Sequence, residues 1–416
     1  MKTRLFFIIV SLLAAGHLQA QRKCNTFSYS QKEQQQNPLL KEKLQSIEQF
    51  TQQYISQERT AARGGANVIT IPVVFHILYH TPEENISEAI IMEQLKIIND
   101  CFRRQNADTT NTPARFKAVA ADCEVEFKLA ISDPRRRSTS GIVRKYTPIR
   151  SWVDDDKMKF SASMGADAWD AKSYLNIWVC NMERMAGYAS LPGSDPAKDG
   201  VVLSFYAFGA NYYGGGYDRG KTAVHEIGHW LNLKHTWGDD MCGDDGVSDT
   251  PKQAFYSSGC PSGTPVSCGN NPNGDMYMNY MDFTDDACTN LFTIGQANRM
   301  RALFAPNGAR SSLLVSTGLQ LPLIAESPLP DESPRWLYAN LYPNPTTSNL
   351  TIDLSYDPRW LSTTLIITNL NGQIVKQVKV ASKIQPLVIS DLQPGMYIIY
   401  GKKSDGETLK QKFVKL

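Results

Sequence analysis

A chain of 416 residues is too long for one ordinary domain and long enough for two or three. With 42% hydrophobic residues it can bury a sizeable core. Its 43 basic and 41 acidic residues leave a net charge of +2, which gives no reason to expect nucleic acid or an anionic membrane as partner.

Lys2 and Arg4 precede an almost wholly apolar run over 5–15, and Leu18-Gln19-Ala20 ends on a small residue. This pattern predicts a signal peptide over 1–20, cut after Ala20. The run is shorter than the ~20 residues of a spanning helix, so no transmembrane segment is expected. Residues 21–63 are polar, with helical spacing around Leu39, Leu40, Leu44 and Ile47. They end in Arg63-Gly64-Gly65, a site suited to a processing cut, and are read as a pro-segment. A globular region over 64–318 follows. It has strand-like runs at 68–78, 124–130 and 175–180, and a helical period over 86–102 with Ser87 as N-cap. Gly214-Gly215-Gly216 marks a loop. Residues 319–336 read as a Pro- and Ser-rich linker. Over 337–416, Leu350, Ile352 and Leu354 alternate with polar residues, and Asn371-Gly372 and Asp405-Gly406 mark hairpin turns. The expected fold is therefore α/β (α+β), followed by a small all-β sandwich.

The chemistry concentrates in His225-Glu226-Ile227-Gly228-His229, with His235 six residues further on. Two histidines four apart present both imidazoles from one helix face, which suits zinc, and Glu226 on the neighbouring face can reach a water without binding the metal. An unbroken helix would aim His235 elsewhere. A sharp turn after His229 would return it, and Asn232 stands where left-handed backbone is needed. Three protein ligands leave one position open, which is the catalytic arrangement of zinc. Eight cysteines fit an oxidising destination. Cys242, Cys260, Cys268 and Cys288 fall in one stretch, and four cysteines allow three pairings.

At this motif the chain resembles the metzincin metallopeptidases, and within them the pappalysin family with its ulilysin-like branch, which shares Asn232 in place of the usual glycine. The likeness runs over about 68–318. It includes the stretch 278–283 as a Met-turn, with Met281 packing beneath the metal. It implies a zinc endopeptidase acting on protein or peptide substrates, with Glu226 as general base. It further implies the disulfides Cys242–Cys268 and Cys260–Cys288, a Ca2+ loop with Asp245, Val247, Asp249 and Thr250, and Cys24 as a zinc-blocking switch in the zymogen. Where ulilysin-like enzymes carry a tyrosine two residues after the methionine, this chain has Phe283, so either another donor serves, with Tyr280 the candidate, or zinc carries that load alone. The branch's taste for a basic residue near the cut directs attention to Asp285 and Asp286.

The last segment, with Leu341-Tyr342-Pro343-Asn344-Pro345, Leu392-Gln393-Pro394-Gly395-Met396-Tyr397 and a basic end, resembles the sorting domain of type IX secretion. That resemblance implies a Gram-negative source, export through the periplasm, the type IX machinery as partner and a secreted or surface-attached product. The alternative is an inert surface binding protein on a metallopeptidase fold. Phe283 is its support, and an intact Glu226 argues against it.

Overall fold

The computed structural model describes residues 24–58, 68–324 and 338–416, except Arg184, Asn211, Tyr213, Ser404, Asp405 and Glu407. The expected signal peptide, the Arg63 cut and most of the linker lie outside the described residues.

Two helices come first, α1 (Thr26–Gln36) and α2 (Pro38–Glu58). They precede a mixed sheet of β1 (Ile69–Tyr79), β2 (Val125–Leu129), β3 (Ile142–Tyr146), β4 (Leu175–Cys180), β5 (Gly187–Ala189) and β6 (Val201–Ser204). The order is β2-β1-β4-β6-β5, with β3 continuing beside β2 along the outer edge of β1. All pairings are parallel except β5 with β6, which leaves β5 as an antiparallel edge. The Val- and Ile-rich run of β1 is buried at every position but Thr70. A strand covered on both faces reads as a continuous apolar run rather than an alternation.

One face of the sheet is covered by α3 (Glu88–Phe102), whose Ser87 hydroxyl accepts from Ile90 N–H as an N-cap. The short α4 (Ala114–Lys117) leads back to β2. Ile91, Ile98 and Phe102 of α3 meet Ile71, Val73 and Phe127 of the sheet and Val224 and Ile227 of α5 (Lys221–Trp230) in one core. The last helix, α6 (Ile294–Ala302), opens with a capping box between Thr293 and Gln296.

The C-terminal module holds β7 (Asn340–Tyr342), β8 (Asn349–Asp353), β9 (Thr364–Asn369), β10 (Ile374–Lys379), β11 (Ile384–Val388), β12 (Gly395–Lys402) and β13 (Thr408–Lys415). They form two antiparallel sheets, β10-β9-β12-β13 and β11-β8-β7. Leu350, Ile352, Leu365, Ile367, Ile399 and Phe413 fill the space between them, the small sandwich its alternation predicts. Tyr356 packs on Tyr146 of β3. No described helix is long and apolar enough to cross a membrane.

Candidate active site

Helix α5 is buried along its whole length, so its position is set from both ends and from behind. At its start, the Asp286 carboxylate accepts from Arg219 N–H and Lys221 N–H, both at 3.0 Å. Lys221 N–H is one of the donors a helix start leaves without an intrahelical partner. Behind the helix, Trp230 donates its indole N–H to Asp199 at 3.0 Å, and Arg310 grips the same carboxylate while lying 3.5 Å over the Trp230 ring. At its end the helix stops at Trp230, and Asn232 takes φ +70°. Leu233 N–H donates back to Gly228 O at 2.9 Å, closing the reversal expected of Asn232.

That reversal brings His235 to the other two histidines. His229 Nε2 lies 3.1 Å from His225 Nε2 and 3.0 Å from His235 Nε2. Nitrogens around a tetrahedral zinc at ~2.0–2.1 Å are separated by roughly 3.3 Å, so the three imidazoles converge as ligands of one ion would. Each outer nitrogen is also fixed. His225 Nδ1–H donates to Tyr280 O at 2.7 Å, His229 Nδ1–H to Leu233 O at 2.9 Å, and His235 Nδ1 pairs with Asp239. Such partners set the tautomer and leave Nε2 to the metal. The Asp239 role was missed from sequence, although its place four residues after His235 was the available signal.

The stretch 278–283 lies against α5. A Cβ at Gly228 would stand 2.5 Å from Met281 Sδ, so only glycine admits this approach. Asp282 is fully buried, accepts from Gln253, Ser257 N–H and Phe283 N–H, and is pushed by burial up to about 6 against those hydrogen bonds. Phe283 is held in an aromatic group with His235, Trp237 and Tyr256, and Trp237 stacks on His235 at 4.3 Å between ring centres. Tyr280 does not take up the missing hydroxyl's place. It is 1% exposed and its ring packs into the core against Phe292. Of the two acidic candidates for substrate charge, Asp286 is buried at the start of α5, whereas Asp285 remains partly exposed beside Gly216.

The segment 24–58 lies in and around the cleft. Cys24 forms a parallel bridge with Gly187 of β5, and its sulfur falls within the same 4.8 Å cluster as the three histidines. Its Sγ is 3.5 Å from Glu226 Oε2, and Thr26 Oγ1 donates to that oxygen at 2.8 Å while accepting from Ala189 N–H at 2.9 Å. Gly187 is a glycine because a Cβ there would meet Val202 O at 2.7 Å and Glu226 Cγ at 3.1 Å. Further along, Glu48 receives two hydrogen bonds from Arg299, at 2.9 and 2.7 Å, and Arg299 also donates to Gly246 O and Asn232 O. Burial pushes the Glu48 carboxyl up, but the Arg299 hydrogen bonds and charge outweigh it and hold the group at about 2. A lowered carboxyl stabilises the docked segment above the usual carboxylate range and loses that contribution as pH falls towards about 2. Once the chain is cut behind this segment, Glu48→Gln is therefore expected to release it more readily at neutral pH, and the difference from wild type should shrink below about pH 4. Dissociation measured at both pH values checks this.

The loop over 243–250 is a tight turn. Asp245 accepts from Val247 N–H and Thr250, and Thr250 also donates to Val247 O. Burial pushes Asp245 up to about 6 despite those bonds. Asp249 points elsewhere, accepting from Thr293 and Gly295 N–H at the start of α6. The disulfides are Cys242–Cys268 and Cys260–Cys288. Loops of this length contribute about 3.5 kcal/mol each in the chain-entropy model, an aid to a stretch with no regular strand of its own.

Residues 159–305 match the family model described as pregnancy-associated plasma protein-A, and residues 340–415 match the secretion system C-terminal sorting domain. Extracellular metalloprotease 1 of Coccidioides posadasii is 48% identical over 253 residues, covering 57% of this chain and 77% of that protein. An extracellular metalloprotease of Arthroderma benhamiae is 30% identical over 246 residues, covering 57% of this chain and 72% of that protein. Mature mirolysin of Tannerella forsythia, solved with a cleaved peptide, is 44% identical with a TM-score of 0.60, covering 62% of this chain and 99% of that one. A promirolysin mutant from the same organism is 40% identical with a TM-score of 0.65, covering 71% of this chain and 97% of that one. A histidine cluster built to receive a metal, on a fold shared over nearly the whole length of these structures, places the chain: it belongs to the pappalysin family of zinc metalloendopeptidases and carries a C-terminal sorting domain of the type IX kind.

Proposed function

We propose that the processed chain is a secreted endopeptidase in which His225, His229 and His235 hold zinc and Glu226 is the general base. The observation that carries this reading is the convergence of three Nε2 atoms whose Nδ1 partners are all fixed. A bound zinc supplies polarisation of the scissile carbonyl and a lowered water pKa, towards ~7. Glu226 takes the proton from the attacking water and returns it to the leaving amine. Edge strand β5 pairs with the substrate main chain, which gives sequence-tolerant binding. Asp285 is the candidate for a basic preference, since Asp286 is committed to α5.

Latency follows from the same site. Cys24 would join the three histidines in holding a bound zinc, Thr26 covers the Glu226 oxygen, and removal of 21–63 after Arg63 would open both. The boundaries proposed are signal peptide 1–20, pro-segment 21–63, catalytic domain 64–318, linker 319–336 and sorting domain 337–416. The route is through the periplasm of a Gram-negative cell to the type IX machinery. Ca2+ is proposed at Asp245, Val247 and Thr250, and Asp249 joins them only if it leaves the α6 cap. Met281 packs beneath the metal and does not ligate it.

The test is a peptide library incubated with the processed chain and read by mass spectrometry. Cleavage at internal peptide bonds is expected, fastest where a basic residue adjoins the cut. A zinc-loaded chain inert towards the whole library would overturn this reading in favour of a binding protein on a peptidase fold.

A further inference from the structure

The pro-segment is a tethered occupant of the cleft, so the groups it touches are groups a substrate meets once it has gone. Several of its polar contacts reach side chains: Thr26 on Glu226, Tyr29 on Asp156, Glu33 on Ser194 and Glu48 on Arg299. Asp154 is different. Its carboxylate accepts from Asn25 Nδ2 at 2.5 Å and from Lys32 Nζ at 2.6 Å. Among the described residues, both of its side-chain hydrogen-bond partners come from the pro-segment. The neighbouring Asp156 also accepts from Tyr29 of the pro-segment, but it keeps Lys159, Lys198 and Tyr188 as partners once that segment has gone.

Asp154 is also held in place. Trp152 forms a parallel bridge with Met182, with Trp152 N–H donating to Asn181 O and Glu183 N–H to Trp152 O, both at 2.8 Å. Glu183 precedes Gly187 of β5 by only four residues, so the Asp154 loop is fastened close to the strand that lines the cleft. Asn25, the residue whose side chain reaches Asp154, donates its own N–H to Gly187 O at 3.2 Å, one residue from the metal-facing Cys24. The acidic group therefore lies within one side chain's reach of the main-chain track beside the metal site.

The direction follows from the register. The pro-segment runs parallel to β5, with Cys24 at Gly187 and Thr26 at Ala189. A substrate strand that adds antiparallel to β5 runs the opposite way, so the side of the metal covered by Asn25 and Lys32 receives the residues before the cut. Resting on the peptidase reading above, we propose that Asp154 is a specificity residue that pairs with a Lys or Arg side chain one to three residues to the N-terminal side of the cleaved bond. The pairing is half-exposed on the cation's side, at 56% for Lys32 against 15% for Asp154. The expected preference is accordingly modest, about two- to fivefold.

The processed chain, its Asp154→Asn and Asp154→Lys variants, and Asp155→Asn as a neighbouring control are given peptides that carry Lys, Gln or Glu at each position before the cut. Wild type and Asp155→Asn should favour Lys over Gln by about two- to fivefold in kcat/KM at one of those positions. Asp154→Asn should level that ratio, and Asp154→Lys should turn it towards Glu. An unchanged ratio in both Asp154 variants, or an equal loss on all peptides, overturns the proposal. A second readout needs no turnover. A synthetic peptide of residues 24–36 and its Lys32→Gln form are titrated against wild type and Asp154→Asn, and the two changes should be non-additive. Additive losses overturn the Asp154 pairing. If wild type cleaves no peptide, the peptidase reading has failed, and this cycle still judges Asp154.

Discussion

Glu226→Gln is expected to lower kcat/KM of the processed chain by about 10²–10⁴-fold with its zinc content unchanged. The replacement keeps the size of the side chain and an oxygen to accept from Thr26, whose hydroxyl lies 2.8 Å from Glu226 Oε2 in the latent form. What it removes is the carboxylate that accepts a proton. Glu226 is wholly buried, and it is not among the residues whose ligand atoms cluster for a metal, so affinity for zinc should survive. Metal analysis beside the kinetics separates the two roles. Wild-type activity in the variant would remove Glu226 from the mechanism, and loss of zinc along with activity would make it part of the metal site instead.

Cys24→Ala should make the unprocessed chain active. The proposed latency would rest on a short set of contacts at the cleft: the sulfur among three histidines, Thr26 on Glu226, and one main-chain hydrogen bond to Gly187. Helices α1 and α2 remain anchored elsewhere, through Glu48 on Arg299 and Tyr29 on Asp156. The variant should therefore stay folded with its pro-segment attached but weakly seated at the metal. Each ~1.4 kcal/mol lost there raises the open fraction tenfold, and loss of the sulfur should give at least a tenfold gain in peptide hydrolysis before any cut at Arg63. Mass spectrometry on the same sample shows whether the chain is intact. A variant as silent as wild type until it is cut would assign latency to the helices alone.

The residues that declare themselves in this sequence act over one or two helical turns. The i, i+4 histidines, Glu226 between them and the left-handed residue before His235 are local geometry, and Asn232 at φ +70° is as expected. The long apolar run of β1 and the alternation around Leu350 and Ile352 are local in the same sense. Strand β6 has four residues, too few for a period to show, and β3 reads Ile142-Val143-Arg144-Lys145-Tyr146 without a clean alternation. Partners distant in the chain were not legible either. Asp199 meets Trp230 and Arg310 across long stretches of chain, and Thr26 meets Glu226 across 200 residues. The acidic residues show why composition near a motif misleads. Asp285 and Asp286 are adjacent, yet one is partly exposed and the other fastens the start of α5. Asp249 sits in an acidic loop but serves the start of α6.

The most direct test of the central claim is casein and gelatin cleavage by the processed chain before and after removal of its metal with a chelator, then with zinc restored. The account predicts about one zinc per chain, held at a three-histidine site of the catalytic kind, loss of cleavage with the metal, and recovery on adding zinc back. Cleavage that persists in the metal-free chain would contradict it.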